Sequence, residues 1–104
     1  MDLVTGVYRE SRRMPREEQF ALTNQMRRAA VSIPANIAEG EGRVSKKEFG
    51  RFLSIAHGSL RELETHLMIA ERLEYLTAEA VEQLLNLAGE VGRLITGLLK
   101  SLRV

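Results

Sequence analysis

Seven residues in the middle of the chain, Phe49, Leu53, Ala56, Leu60, Leu63, Leu67 and Ala70, recur at alternating spacings of four and three. That period places them along one face of a single long helix. An α-helix with one apolar stripe must lay it against other helices, so a seam of this length predicts a helical bundle. Ser45-Lys46-Lys47-Glu48 forms a capping box just ahead of the seam and predicts the start of the helix, which is expected to run to Glu74. Beside the seam lies a second stripe, Phe52, Ile55, Ser59, Glu62, His66, Ile69 and Leu73, apolar at both ends and polar in its middle. Gly58 costs about 1 kcal/mol relative to alanine in a helix, and so small a residue predicts the close approach of another backbone.

Other helices are available on both sides. A short helix is expected from Asp2 to Arg13, with Leu3, Val4, Val7, Tyr8 and Ser11 on one face. Met14-Pro15 ends it, because a residue before proline avoids helical geometry. Pro15 then suits the first position of a second helix, with Glu17 and Glu18 near its positive end. Pro34 lies inside this second helix, where a missing N–H and a clash with the carbonyl of Ala30 cost roughly 3 kcal/mol. Apolar residues nevertheless continue through it at helical spacing (Met26, Ala29, Ala30, Ile33, Ile37), so one kinked helix is expected, running to Glu39. Gly40 and Gly42 end it, Gly40 being suited to a left-handed cap. Thr77 reads as the N-cap of a fourth helix carrying Val81, Leu84, Ala88, Val91, Ile95, Leu98 and Leu102. Leu85, Leu87, Leu94 and Leu99 widen its stripe beyond what a monomeric bundle uses, which predicts a second copy as partner. Three short connections make the whole an all-α, antiparallel up-down-up-down four-helix bundle, with a short first helix and a proline-kinked second, forming a single domain over residues 1–104.

Composition removes several functions. Apolar residues make up 44% and charged residues 28% of 104 residues, so a folded core is expected. There is no cysteine and hence no thiolate chemistry. No signal peptide appears, and no apolar run approaches the roughly 20 residues of a membrane span, so no membrane partner and a cytoplasmic location are expected. The two histidines, His57 and His66, stand about 180° apart on a helix and cannot share a metal. No Glu-x-x-His pair occurs, which removes the carboxylate-bridged di-iron site that some bundles carry. Gly40-Glu41-Gly42 follows a helix and precedes no Gly-Lys-Ser/Thr, unlike a phosphate loop. No catalytic, cofactor-binding or metal-binding residue, no cofactor and no small-molecule substrate is therefore expected, and the chain reads as a non-enzyme.

Two groups of residues remain as candidates. Arg28, Asn36, Glu39, Ser59 and Glu62 read as a polar network that fixes bundle register, or as a binding surface. Counting height from the Gly40–Val44 connection puts Gly58 level with Arg27 and Arg28, and Asn36 level with Gly50. Arg28, Glu62 and Ser59 are then expected to form a buried or half-buried cluster, and Glu62 to pair with His66 one turn on. The second group is basic. Arg43, Lys46, Lys47 and Arg51 surround the start of the third helix, and Lys100 and Arg103 return to the same end. A helix N-terminus among cations suits phosphate; a solvated basic end is the other reading. The net charge is only +1, far from the footprint of a dedicated nucleic-acid binder, so such binding would rest on this cluster or on its repetition in an oligomer.

Arg28-Ala29-Ala30, Ser32-Ile33-Pro34-Ala35-Asn36-Ile37-Ala38-Glu39-Gly40, Ser45, Phe49 and the later Ala56-His57-Gly58-Ser59-Leu60-Arg61-Glu62-Leu63-Glu64 resemble the four-helix-bundle proteins encoded in intervening sequences of bacterial 23S ribosomal RNA genes. The resemblance implies a four-helix bundle, further helical turns ahead of Asp2, and a homo-oligomer that in structural relatives is a pentameric ring. A related bundle, the accessory variability determinant of diversity-generating retroelements, binds a reverse transcriptase and nucleic acid. That relation implies RNA, DNA or a nucleic-acid enzyme such as a reverse transcriptase as partner of a homo-oligomeric adaptor. A protein-interaction or structural scaffold without nucleic-acid contact is the alternative.

Overall fold

In the computed structural model, which describes residues 1–102, four helices account for most of the chain. They are α1 (Asp2–Ser11), α2 (Leu22–Glu41), α3 (Lys46–Arg72) and α4 (Ala78–Ser101), with a single 3₁₀ turn at Arg16–Glu18 between the first two. Among the described residues there is no strand, and the arrangement fits a four-helix bundle. No helix among them is long and apolar enough to cross a membrane.

The seam on α3 organises the core. Leu53, Ala56, Leu60, Leu63, Leu67 and Ala70 are all buried, and only Phe49 at its start is partly open. They join Leu3 and Val7 of α1, Met26, Ala29, Ala30 and Ile33 of α2, and Val81, Leu84, Ala88 and Ile95 of α4 in one apolar cluster. Contacts between α2 and α3 run in opposite order along the two helices: Gly40 lies against Phe52, Ser32 meets Ser59, and the 3₁₀ turn reaches Tyr75.

Helix ends follow local chemistry, sometimes against expectation. Ser45 Oγ accepts from the backbone N–H of Glu48 at 3.1 Å, and Thr77 Oγ1 accepts from Ala80 N–H at 3.1 Å, so α3 and α4 start where their caps predict. The second helix does not start at Pro15. Pro15 is extended (φ −60°, ψ 148°) and leads into the 3₁₀ turn, and Ala21 (φ −123°, ψ −106°) interrupts helical geometry before Leu22. Glu18 explains the later start. One of its carboxylate oxygens accepts from Leu22 N–H at 3.3 Å and the other from the Tyr75 hydroxyl at 3.1 Å. It thus caps α2 and ties the turn to the α3–α4 connection. The same carboxylate pushes the Tyr75 phenol above its ordinary pKa, the hydrogen bond acting first and partial burial adding to it. From Leu22 the helix continues without a break through Pro34.

The glycine expected as a left-handed cap serves a different purpose. No glycine has positive φ, and α2 continues to Glu41 before ending on Gly42 at φ −77°. Gly40 is needed for close approach. A Cβ there would sit 2.8 Å from Phe52 Cβ and 2.8 Å from Phe49 Cδ1, closer than packed carbons tolerate. Gly58, where such an approach was expected, has nothing within 4 Å of an added Cβ.

The left-handed residue is Glu74, at φ 62°. It follows α3, with Tyr75 N–H donating to Ala70 carbonyl and Glu74 N–H to Glu71 carbonyl, both at 2.9 Å. This is the paired hydrogen bonding of a Schellman ending, which usually takes glycine. A side chain in that conformation costs about 1–2 kcal/mol, of which glycine's extra chain entropy returns about half. Glu74→Gly should therefore raise the midpoint of thermal unfolding by a few degrees, about 0.5–1 kcal/mol, measured at fixed protein concentration.

Candidate nucleic-acid interface

The basic end is built where α2 hands over to α3. Glu41 ends one helix, Ser45 caps the next, and the exposed residues between carry Arg43 outward. Arg43 and Arg51 converge on a single aromatic ring. Their guanidinium carbons lie 5.1 and 4.5 Å from the centre of the Phe52 ring, within the range of cation–π attraction. Each also holds a carboxylate: Arg43 Nη2 donates to Glu39 at 2.6 Å, and Arg51 Nε donates to Glu48 at 3.2 Å. Glu48 is held below the ordinary carboxylate range by the Arg51 hydrogen bond first and by the Arg51 charge next. Removing the guanidinium in Arg51→Ala should return the Glu48 titration upward toward its ordinary value, followed through the side-chain carboxyl carbon by NMR.

Lys46 and Lys47 differ from these two. Both are exposed in the first turn of α3, and neither forms an ion pair among the described residues. They stand at the positive end of a 27-residue helix dipole. Lys100, expected beside them, lines an open cleft between α3 and α4 of about 400 Å³ together with Arg61, Glu64 and Arg93. Leu102 does reach Gly50, its Cδ1 3.8 Å from where a Cβ would sit, so the last turn of α4 comes to the first turns of α3. Arg103 lies outside the described residues. Sequence reasoning missed Arg61 and Arg93. The i,i+7 spacing of Arg93 and Lys100, with Gly89, Gly92 and Gly97 opening the same helix surface, was the available signal.

The polar network forms with different members. Asn36 Nδ2 donates to Ser32 carbonyl at 2.8 Å and to Ser32 Oγ at 2.9 Å, and Ser32 Oγ shares a 2.8 Å hydrogen bond with Ser59 Oγ. Asn36 and Ser59 are thus linked across α2 and α3 through Ser32, a residue the sequence reading left out although it stands one turn before Asn36. Arg28 and Glu62, expected to be buried or half-buried, are both exposed, and Glu39 turns to Arg43. The physical reason is rotation about the helix axis: Arg28 adjoins the buried Ala29 but projects to water. Pairing Ser32 with Ser59 also places Gly58 nearer Ile33 than Arg28, so the counted register was off by more than a turn. Glu62 has no hydrogen bond to His66, whose Nδ1 is buried and unpartnered among the described residues. Among those residues no group of three or more His, Asp or Glu side chains is placed to hold a metal ion.

A family model described as 23S rRNA-intervening sequence protein matches residues 1–97. Among solved structures, the chain is similar to a crystal structure of a protein with unknown function from the S23 ribosomal protein family of Bacteroides thetaiotaomicron. The two are 29% identical over 95% of this chain and 93% of that one, with a TM-score of 0.87. No curated protein matches the chain.

Proposed function

The chain belongs to the 23S rRNA-intervening sequence protein family, and from that premise we propose that it is a non-enzymatic, homo-oligomeric adaptor that binds the phosphate backbone of RNA or DNA. The observation that carries the reading is the pair Lys46 and Lys47, exposed at the start of α3 and free of ion pairs among the described residues. Arg43 and Arg51 are already engaged with Glu39, Glu48 and the Phe52 ring, so they flank a phosphate more than they grip it. Alternation of these carboxylates with the cations keeps one subunit's field modest, and a ring of copies, five by resemblance, would multiply it at one rim. Leu94 on the wide stripe of α4 is 58% exposed, and Val31 and Ile55 on α2 and α3 are 42% and 41% exposed, which supports a partner copy. A nucleic-acid enzyme such as a reverse transcriptase would be recruited by the assembled ring.

The same apolar exposure favours the second reading, a protein scaffold with no nucleic-acid contact. Sedimentation velocity at micromolar protein, alone and with a mixed-sequence single-stranded RNA, separates them. The adaptor is expected to sediment as one oligomeric species and to carry the RNA with it at low salt. An oligomer that leaves the RNA at its own rate supports the scaffold, and a monomer at every concentration overturns both.

A further inference from the structure

A different cleft, at the far end of α2 from Lys46 and Lys47, has the chemistry of an oxyanion site. It opens where α1 ends and α2 begins, encloses about 380 Å³, and is lined by Arg12, Arg16 and Arg27 with Ser11, Gln19 and Thr23, and by no carboxylate. We propose that this cleft binds a phosphate group, free or as the monoester of a nucleotide.

The observation that singles it out is Thr23. The residue is 4% exposed, and its Oγ1 is buried with no hydrogen-bond partner among the described residues. A buried hydroxyl left unpaired costs about 1–3 kcal/mol, and helical threonine can ordinarily bond a carbonyl of the preceding turn. Here it lines a cleft with three guanidinium-bearing residues. Thr23 also stands in the first turn of α2, a 20-residue helix with no acidic residue in that turn and no side-chain cap from Ala21. Glu18 takes only the Leu22 N–H, so the N–H groups of Thr23 and Asn24 in the same turn have no side-chain acceptor among the described residues and stay available to an anion.

The neighbours hold the site open for an anion. Arg27 Nε donates to Ser11 Oγ at 2.9 Å, Ser11 Oγ donates to Tyr8 carbonyl at 3.2 Å, and the Arg27 guanidinium lies 4.9 Å from the Tyr8 ring centre. Arg27 is thereby fixed in direction while its other N–H groups remain available. Arg12 and Arg16 are exposed and form no ion pair among the described residues. The closest acid in sequence to Ser11, Glu10, is paired with Arg13 at 3.7 Å and does not line the cleft. Two arginine side chains can thus close over a phosphate seated beside Thr23, whose buried hydroxyl turns outward to an oxygen of the anion as it binds.

The test is a titration of the full chain with inorganic phosphate, balanced against chloride at constant ionic strength and read from backbone amide NMR. Saturable shifts at Ser11, Thr23 and Asn24 are expected. Arg12→Ala and Arg16→Ala, both at exposed positions, should each weaken binding about tenfold, as loss of a charge-assisted hydrogen bond does. Thr23→Val keeps the shape and should also weaken it. Uridine 5′-monophosphate identifies the source: tighter binding than inorganic phosphate at the same amides indicates a nucleotide, and equal binding indicates the free anion. Lys46→Glu with Lys47→Glu should leave phosphate affinity unchanged, so this site stands or falls apart from the nucleic-acid reading. Shifts that grow without saturating, an Arg12→Ala/Arg16→Ala variant that binds as the wild type does, or Thr23→Val at unchanged affinity would each overturn the proposal.

Discussion

Reversing two charges, Lys46→Glu with Lys47→Glu, is expected to abolish binding to RNA and DNA while leaving the fold and the oligomer intact. Both residues are exposed, so neither contributes packing that the substitution would remove. Each reversal replaces an attraction to phosphate with a repulsion, and it sets an acid where Arg43 and Arg51 are already paired with Glu39 and Glu48. The end would turn net negative in every copy of an oligomer. Glutamate in the first turn of α3 suits the helix dipole, so thermal stability should hold or rise slightly. Binding curves from fluorescence anisotropy at low salt, together with a melting curve, check both halves. Arg12→Ala with Arg13→Ala, at the opposite end of α2, should change nucleic-acid affinity much less.

Truncating the centre of the core has the largest expected effect on stability. Leu63 is fully buried on the α3 seam, and Leu63→Ala should lower the unfolding free energy by about 2–5 kcal/mol through lost burial and the cavity left behind. In a chain of this size each kcal/mol is about 4–8 °C of melting temperature. Leu73, the C-cap residue of the same helix, ends the second stripe and is 52% exposed, so Leu73→Ala should stay within about 0.5 kcal/mol of the wild type. Calorimetry at one protein concentration compares them, since oligomerisation makes the melting point depend on concentration. A Leu63→Ala protein as stable as Leu73→Ala would mean that the seam does not form the core.

The contrast between these two leucines also shows what the sequence could convey. Unbroken apolarity at helical period separated the buried stripe of α3 from its neighbour, because seven apolar residues at alternating four and three spacing define a core face without any tertiary information, whereas the neighbour turns polar at Ser59, Glu62 and His66. The Ser45 and Thr77 caps were legible for the same local reason. Rotation was harder. Arg28 adjoins core alanines, and a shift of one residue round the helix decides whether it meets Glu62 or water; periodicity does not resolve that. Gly40 looked like a helix stop because glycine often is one, whereas its function depends on Phe49 and Phe52, nine and twelve residues further along the chain. Glu74 could not be read as left-handed, since glutamate rarely adopts that conformation. At the basic end the cations were legible as a cluster, but the Phe52 ring that gathers Arg43 and Arg51, and the cleft that takes Lys100 toward Arg61 and Arg93, depend on contacts between distant segments. Thr23 gave no sequence signal at all: its unpaired hydroxyl arises from where α2 happens to start.

The most direct test of phosphate-backbone binding is the slope of affinity against salt. Binding of the wild-type protein to a mixed-sequence RNA and to a DNA of the same length should be measured from low to physiological salt. Each phosphate neutralised contributes about −0.7 to −0.9 to the slope of log K on log salt, so the two cations of this end free of ion pairs among one subunit's described residues, Lys46 and Lys47, predict a slope of about −1.5 per subunit engaged, steeper as more copies of a ring join in and nearly the same for both nucleic acids. A slope near zero, strong preference for one sequence, or no binding even at low salt would contradict the account.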